Sequence, residues 1–237
     1  MKTSSTSIRH PNGAAVARVA ILVAGQIRTF EERAVQLNLR DKLVSPNQAD
    51  VYFSLSPEDS PADWYNRYLF PHNKSVQLSS TIGADRLGSV MTSVRAFRPV
   101  YISIANDSDI AREQSTQWQG LLQNAYRIYK QSHLVFRWQL LLIEASKHEA
   151  KRGERYELLV RMRPDFFVTC APLDLRTLFR EKAEKFDALF QNDFFMAARR
   201  AAAEVALRVY DLTRTFPPCT QSRKPKAREF LYRTNQP

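Results

Sequence analysis

Apolar positions along the chain fall into short unbroken runs, separated by longer stretches in which they recur every three or four residues. Residues 19–24 (Val-Ala-Ile-Leu-Val-Ala) form such a run, closed by Gly25, which is the pattern of a strand covered on both faces. Residues 50–55, 99–104, 158–160 and 186–190 read the same way and predict four further strands. Between them the spacing is helical. Residues 29–43 place Phe30, Ala34, Leu37 and Leu43 on one side, with Thr29 as N-cap and Glu31 and Glu32 favourable in the first turn. Residues 118–151 contain no proline and keep a helical apolar period from Leu121 to Ala145, with Gly153 as the expected stop. His133 and His148 on this stretch have no metal-ligand spacing and read as ordinary helix residues. Helices are also expected over 175–185 and 197–212, the second ended by Pro217 and Pro218. Residues 56–93, rich in Pro, Asp, Asn, Ser and Gly, predict a long loop region with one short helix around 64–69. Strands alternating with helices indicate an α/β fold with a mainly parallel sheet.

Composition narrows this picture only in part. A chain of 237 residues, 44% hydrophobic and 25% charged, can bury the core of one large globular domain. The expected organisation is a disordered lead-in over 1–15, one domain over 16–218 and a basic tail over 219–237. The net charge of +11 favours anionic partners. It is scattered, however, and dense only where Arg223, Lys224, Lys226, Arg228 and Arg233 face the single acid Glu229. Nucleic acid is therefore not the expected partner; a peripheral contact with anionic membrane is what the tail offers. Cys170 and Cys219 form neither a zinc motif nor a disulfide framework, so reduced thiols and a cytoplasmic setting are expected. Arg18 interrupts the apolar stretch over 14–25, which reads as a first strand rather than a signal peptide. No apolar run approaches the ~20 residues that span a bilayer.

Three polar clusters each follow a strand. Gly25, Gln26 and Arg28 come after the first: a glycine there lets backbone approach a phosphate, and the next helix start adds N–H donors. There is no GxGxxG and no GxxxxGK[ST], so neither a dinucleotide fingerprint nor a P-loop is supported. The second cluster is Arg161-Met-Arg163-Pro-Asp165, where strand alternation sends both arginines to one face and Pro164 stops the ladder. Two cations and a carboxylate at a strand's carboxyl end suit a phosphate-bearing substrate with a divalent metal; the alternative is a salt bridge between Asp165 and one arginine. The third is Asn192-Asp193 before Phe194 and Phe195. Asp193 reads there as a general base in an apolar cleft, or else the pair N-caps a following helix. No Ser/His/Asp arrangement and no GxSxG elbow can be assembled, which removes hydrolase chemistry of that kind.

In order along the chain, AGQIRTF at 24–30, ADVYFSL at 49–55, the long helix, RGERYELLVRMRPDFFV at 152–168 and NDFFMAARRAA at 192–202 resemble the GT-A-like nucleotide-sugar glycosyltransferases. The resemblance spans roughly 16–210, and RMRPD is its most specific part. It implies a single GT-A-like sandwich that moves a sugar from a nucleotide-diphosphate donor to a hydroxyl acceptor, such as a glycan or polysaccharide. It also implies that Gly25, Gln26, Arg28 and Asn192 contact the nucleotide sugar and that Asp165 meets a divalent ion (Mn or Mg) or the sugar. Arg161 and Arg163 would then stabilise the departing diphosphate, with Asp193 as the base. Phe167 stands where the second acid of the family's Asp-x-Asp motif would be. Two other classes stay open: an inactive anion-binding module of the same fold, and a basic protein that docks on nucleic acid or membrane.

Overall fold

The computed structural model describes residues 18–27, 30, 32–58, 84–107, 109–110, 126–169, 171–181, 186–191 and 195–208, with backbone alone over 126–133. Its strands are β1 (Val19–Gln26), β2 (Asp50–Ser56), β3 (Tyr101–Ile104), β4 (Leu158–Met162), β5 (Ala188–Gln191) and β6 (Phe195–Arg199). Its helices are α1 (Arg33–Leu39), α2 (Ser45–Asn47), α3 (Ala84–Ala96), α4 (Tyr126–Arg152), α5 (Leu175–Glu181) and α6 (Arg200–Leu207), with a π-helical turn, Arg40–Val44, joining α1 to α2.

One six-stranded sheet has the order β3-β2-β1-β4-β6-β5. β1 pairs in parallel with β2 and β4, and β2 with β3; β6 is antiparallel to both β4 and β5. Alternation along β1 explains the layers. Val19, Ile21 and Val23 face Leu39, Leu43, Val90, Val94, Leu175 and Phe179, so α1, α3 and α5 cover one side. Ala20, Leu22 and Ala24 face Leu141, Leu142, Ala145, Ala203 and Leu207 from α4 and α6 on the other. Each large apolar side chain so covered contributes about 1.5–3 kcal/mol.

Several boundaries differ from the sequence expectation. The helix expected from residue 29 starts at Arg33 with Glu32 as N-cap, while Thr29 and Glu31 lie outside the described residues. α3 occupies the end of the stretch read as loop, because Val90 and Val94, one turn apart, are fully buried. The helix expected around 64–69 lies outside the described residues, as do 1–17 and 209–237. After 186–190 the chain enters β6 rather than a helix, so the N-cap alternative for Asn192 and Asp193 is lost: α6 begins only at Arg200. Ala197 and Ala198, read as helical, pair instead with Leu189 and Ala188.

At the amino-terminal edge of the sheet, α4 brings His148 into a buried polar group. The Tyr52 hydroxyl lies 2.9 Å from His148 Nδ1 and 2.8 Å from the Tyr156 hydroxyl, which is itself 3.0 Å from Nδ1. Tyr156 donates to Asp50 Oδ2 at 2.6 Å, and Arg152 Nη1 donates to the same oxygen at 2.8 Å. Burial pushes the Tyr52 phenol up to about 12 and raises Tyr156 further in the same direction.

Candidate functional site

Because β1 to β4 are parallel, their carboxyl ends share one edge. From β1 the chain steps outward to β2 and β3, then crosses back through α4 to β4 on the opposite side of β1. Connections that leave two adjacent strands in opposite directions open a crevice between them, and open α/β sheets bind ligands there.

The first two sequence clusters meet at that crevice. Gly25 has φ +135°, and a Cβ on it would lie 3.3 Å from Pro164 Cδ and 3.7 Å from Leu134 Cδ1. β1 and the turn after β4 are therefore in contact at a point where only glycine fits. β4 ends at Met162, before the proline, as its missing N–H requires. Arg163 then grips Asp165 as a fork, Nε to Oδ1 at 2.9 Å and Nη2 to Oδ2 at 2.6 Å, with side chains 15% and 17% exposed. Arg161 stays in the strand, is 8% exposed, and stacks its guanidinium 3.8 Å over the ring of Trp138 from α4. The two arginines are thus placed differently: one lies beneath a helix and one at the open edge.

Gln191 and Phe195, which bracket the third cluster in the sequence, come to the same edge through strand register. Met162 pairs with Phe195, and Phe195 with Gln191, so the last residue of β5 and the first of β6 lie level with the end of β4. Phe166 stacks on Phe195 at 5.0 Å and joins the two segments. Asn38 steadies the next stretch, donating to the Val168 carbonyl at 2.9 Å and accepting from its N–H at 2.8 Å. Arg28, Asn192 and Asp193 lie outside the described residues.

Sequence reading missed two residues of this edge. Arg137 of α4, with no exposed surface, donates to Asp107 Oδ1 from Nε at 3.1 Å and from Nη2 at 2.8 Å. It also reaches Ser54 Oγ at 3.2 Å and the carbonyls of Leu55 and Ala105 at 3.3 and 2.5 Å. Asp107, 6% exposed, accepts on its other oxygen from Gln26 Nε2 at 3.3 Å. One guanidinium therefore ties the ends of β2 and β3 to the residue that closes β1. The available signal was a cation in line with the buried Leu141 and Ala145, at successive steps of four along a helix.

A hard divalent ion asks for six or more oxygen ligands. Both oxygens of Asp165 already accept from Arg163, and among the described residues no three His, Cys, Asp or Glu side chains converge to hold a metal. The described side chains thus do not by themselves compose a cation site, and an ion at Asp165 would compete with the guanidinium for the same oxygens. What the edge offers is an arginine–carboxylate pair, whose guanidinium a phosphate could engage only in competition with Asp165, and a carboxamide held by a buried ion pair. No family model and no curated protein matches this chain.

Proposed function

We propose that this protein transfers a sugar from a nucleotide-diphosphate donor to a hydroxyl acceptor, using the carboxyl edge of the sheet between β1 and β4. The observation that carries this reading is the meeting, at one topological switch point, of described segments far apart in the sequence: Gly25 against Pro164, Met162 beside Phe195, and Phe195 beside Gln191. Gly25, Gln26, Arg28 and Asn192 bind the nucleotide sugar. Arg163 stabilises charge on the leaving diphosphate, aided by Arg161 from within the sheet, and Asp165 meets the donor sugar. Asp193 takes the acceptor proton if the reaction inverts configuration. A GT-A-like sandwich is the finer fold assignment that accompanies this reading, and the mostly parallel sheet with helices on both faces supports it.

A second reading, an inactive nucleotide-binding module of the same fold, draws support from one contact. Asp165 is engaged by Arg163, and Phe167, 49% exposed, occupies the place of a second acid. A thermal-shift panel of nucleoside diphosphates with and without Mn²⁺ tests both, since a ligand at 100 times its Kd adds about 2.7 kcal/mol of stability. Stabilisation by at least one diphosphate is expected, and the Mn²⁺ arm decides whether an ion takes part. Release of diphosphate from a donor sugar then separates enzyme from module. No stabilisation by any diphosphate, together with steep salt-dependent DNA binding, would replace both readings with a polyanion-docking protein.

A further inference from the structure

We propose that Asp107 and Arg137 are positioning residues of the switch-point site, and that they act through Gln26. The role rests on the donor-binding reading given above for the same edge. Asp107 has only acceptor oxygens, so the Gln26 group 3.3 Å away must be its NH₂, and the orientation of that carboxamide is set by its neighbour. The other oxygen of Asp107 is held by Arg137, whose Nη1 also donates to Ser54 Oγ and the Leu55 carbonyl and whose Nη2 donates to the Ala105 carbonyl. Gln26 is thereby registered against β2, β3 and α4 at once.

Stability alone does not explain such a pair. A buried guanidinium and carboxylate contribute no more to folding than apolar side chains of equal volume, because desolvation offsets their attraction. A second buried pair, Glu149 with Arg200 at 3.0 Å, sits at the other edge of the sheet, so burial is not what marks Asp107. The mark is its contact with a residue at the crevice: the hydrogen bond runs to Gln26, immediately after the glycine that touches Pro164. A ligand group that meets Gln26 therefore meets an amide whose orientation is fixed before binding, which spares the ordering cost of a mobile side chain.

The test is a double-mutant cycle on the full chain, read by calorimetry with UDP, GDP, ADP and CDP and by urea unfolding. Gln26→Ala removes the amide. Asp107→Asn keeps an oxygen for Arg137 but turns an NH₂ toward Gln26. Each is expected to weaken the best-bound diphosphate about tenfold, the loss of roughly one hydrogen bond. The double variant should show about the same tenfold loss rather than a product near a hundredfold, because the second change acts only through Gln26. Arg137→Lys, a second probe should Asp107→Asn fold poorly, is expected to weaken binding with Gln26 present and to have no further effect in the Gln26→Ala background. Unchanged affinity with lowered stability makes the pair a structural strut and overturns the role, as do multiplying losses. Absence of any diphosphate binding by the wild type defeats the donor reading itself, and the positioning role falls with it.

Discussion

Replacing glycines one at a time by alanine separates backbone strain from crowding, because three of them differ in a graded way. Gly88, on the exposed face of α3, has nothing within 4 Å of an added Cβ, and alanine there should stabilise by about 0.5–1 kcal/mol. Gly153, closing α4 at φ +75°, also has open space, so Gly153→Ala costs only the left-handed conformation, about 1–2 kcal/mol. Gly25 combines both penalties. Its φ of +135° lies where side chains are held only at a cost of about 1–3 kcal/mol. The new Cβ would also press on Pro164 Cδ at 3.3 Å, and forcing atoms into a packed site costs about another 1–3 kcal/mol. Gly25→Ala should therefore be the most harmful of the three, about 2–6 kcal/mol in urea unfolding at fixed pH. It should also weaken diphosphate binding, since relief of the contact displaces the turn carrying Asp165, whereas Gly153→Ala at the far edge should leave binding alone. A Gly25→Ala protein no less stable than Gly153→Ala would show that β1 and the β4 turn do not touch as described.

Asp165→Asn should leave the fold intact and reduce transfer on the order of 10²–10³-fold, as when one electrostatic contact to a transition state is lost; wild-type turnover would remove Asp165 from the site. The two arginines should respond differently to lysine. Arg161→Lys loses the stack on Trp138 and should lower stability by about 1 kcal/mol, while Arg163→Lys, which keeps the charge but not the two-point grip, should lower stability less and weaken diphosphate binding several-fold. The reverse pattern would exchange their roles. Alkaline stability should follow Tyr52, whose buried phenol titrates near 12 when folded and near 10 when unfolded. The folded state holds that proton more tightly, so the contribution is complete below pH 10 and is lost as pH rises toward 12. Tyr52→Phe should flatten that decline in a pH series of unfolding midpoints, and an unaltered slope would refute the linkage.

The central strands were legible because parallel strands buried on both faces produce unbroken apolar runs, as in residues 19–24. α3 was not legible: only Val90 and Val94 enter the core, and Gly88, Ser89 and Ser93 give the segment the composition of a loop. β6 failed for the opposite reason. Its Ala-Ala-Arg-Arg-Ala-Ala surroundings favour helix locally, yet pairing with β4 on one side and β5 on the other overrides a propensity of a few tenths of a kcal/mol per residue. At the candidate site, the turn glycine and the proline-stopped strand carried local signals that topology brought together. Asp107 and Arg137 are thirty positions apart and carried a signal only in the cation set within the apolar stripe of α4.

The aromatic group at the amino-terminal edge has a direction built into it. Tyr156 spends its only hydroxyl hydrogen on Asp50, which leaves three mutual contacts among Tyr52, Tyr156 and His148 Nδ1 to be filled. If Nδ1 were bare, the hydrogen of Tyr52 would be the only one of the group's own left to serve all three. With hydrogen on Nδ1, the imidazole donates to Tyr52, Tyr52 to Tyr156, and Tyr156 to the carboxylate that Arg152 holds from its other side. Every dipole then points the same way, so each bond polarises the next and the chain gains cohesion beyond its separate links. The neutral imidazole would be locked as one tautomer of the two available in water, which nitrogen chemical shifts of labelled histidine can read directly. The sheet is fastened to α4 at this end by hydrogens passed in a line, and at the opposite end by a single guanidinium that shares its hydrogens outward.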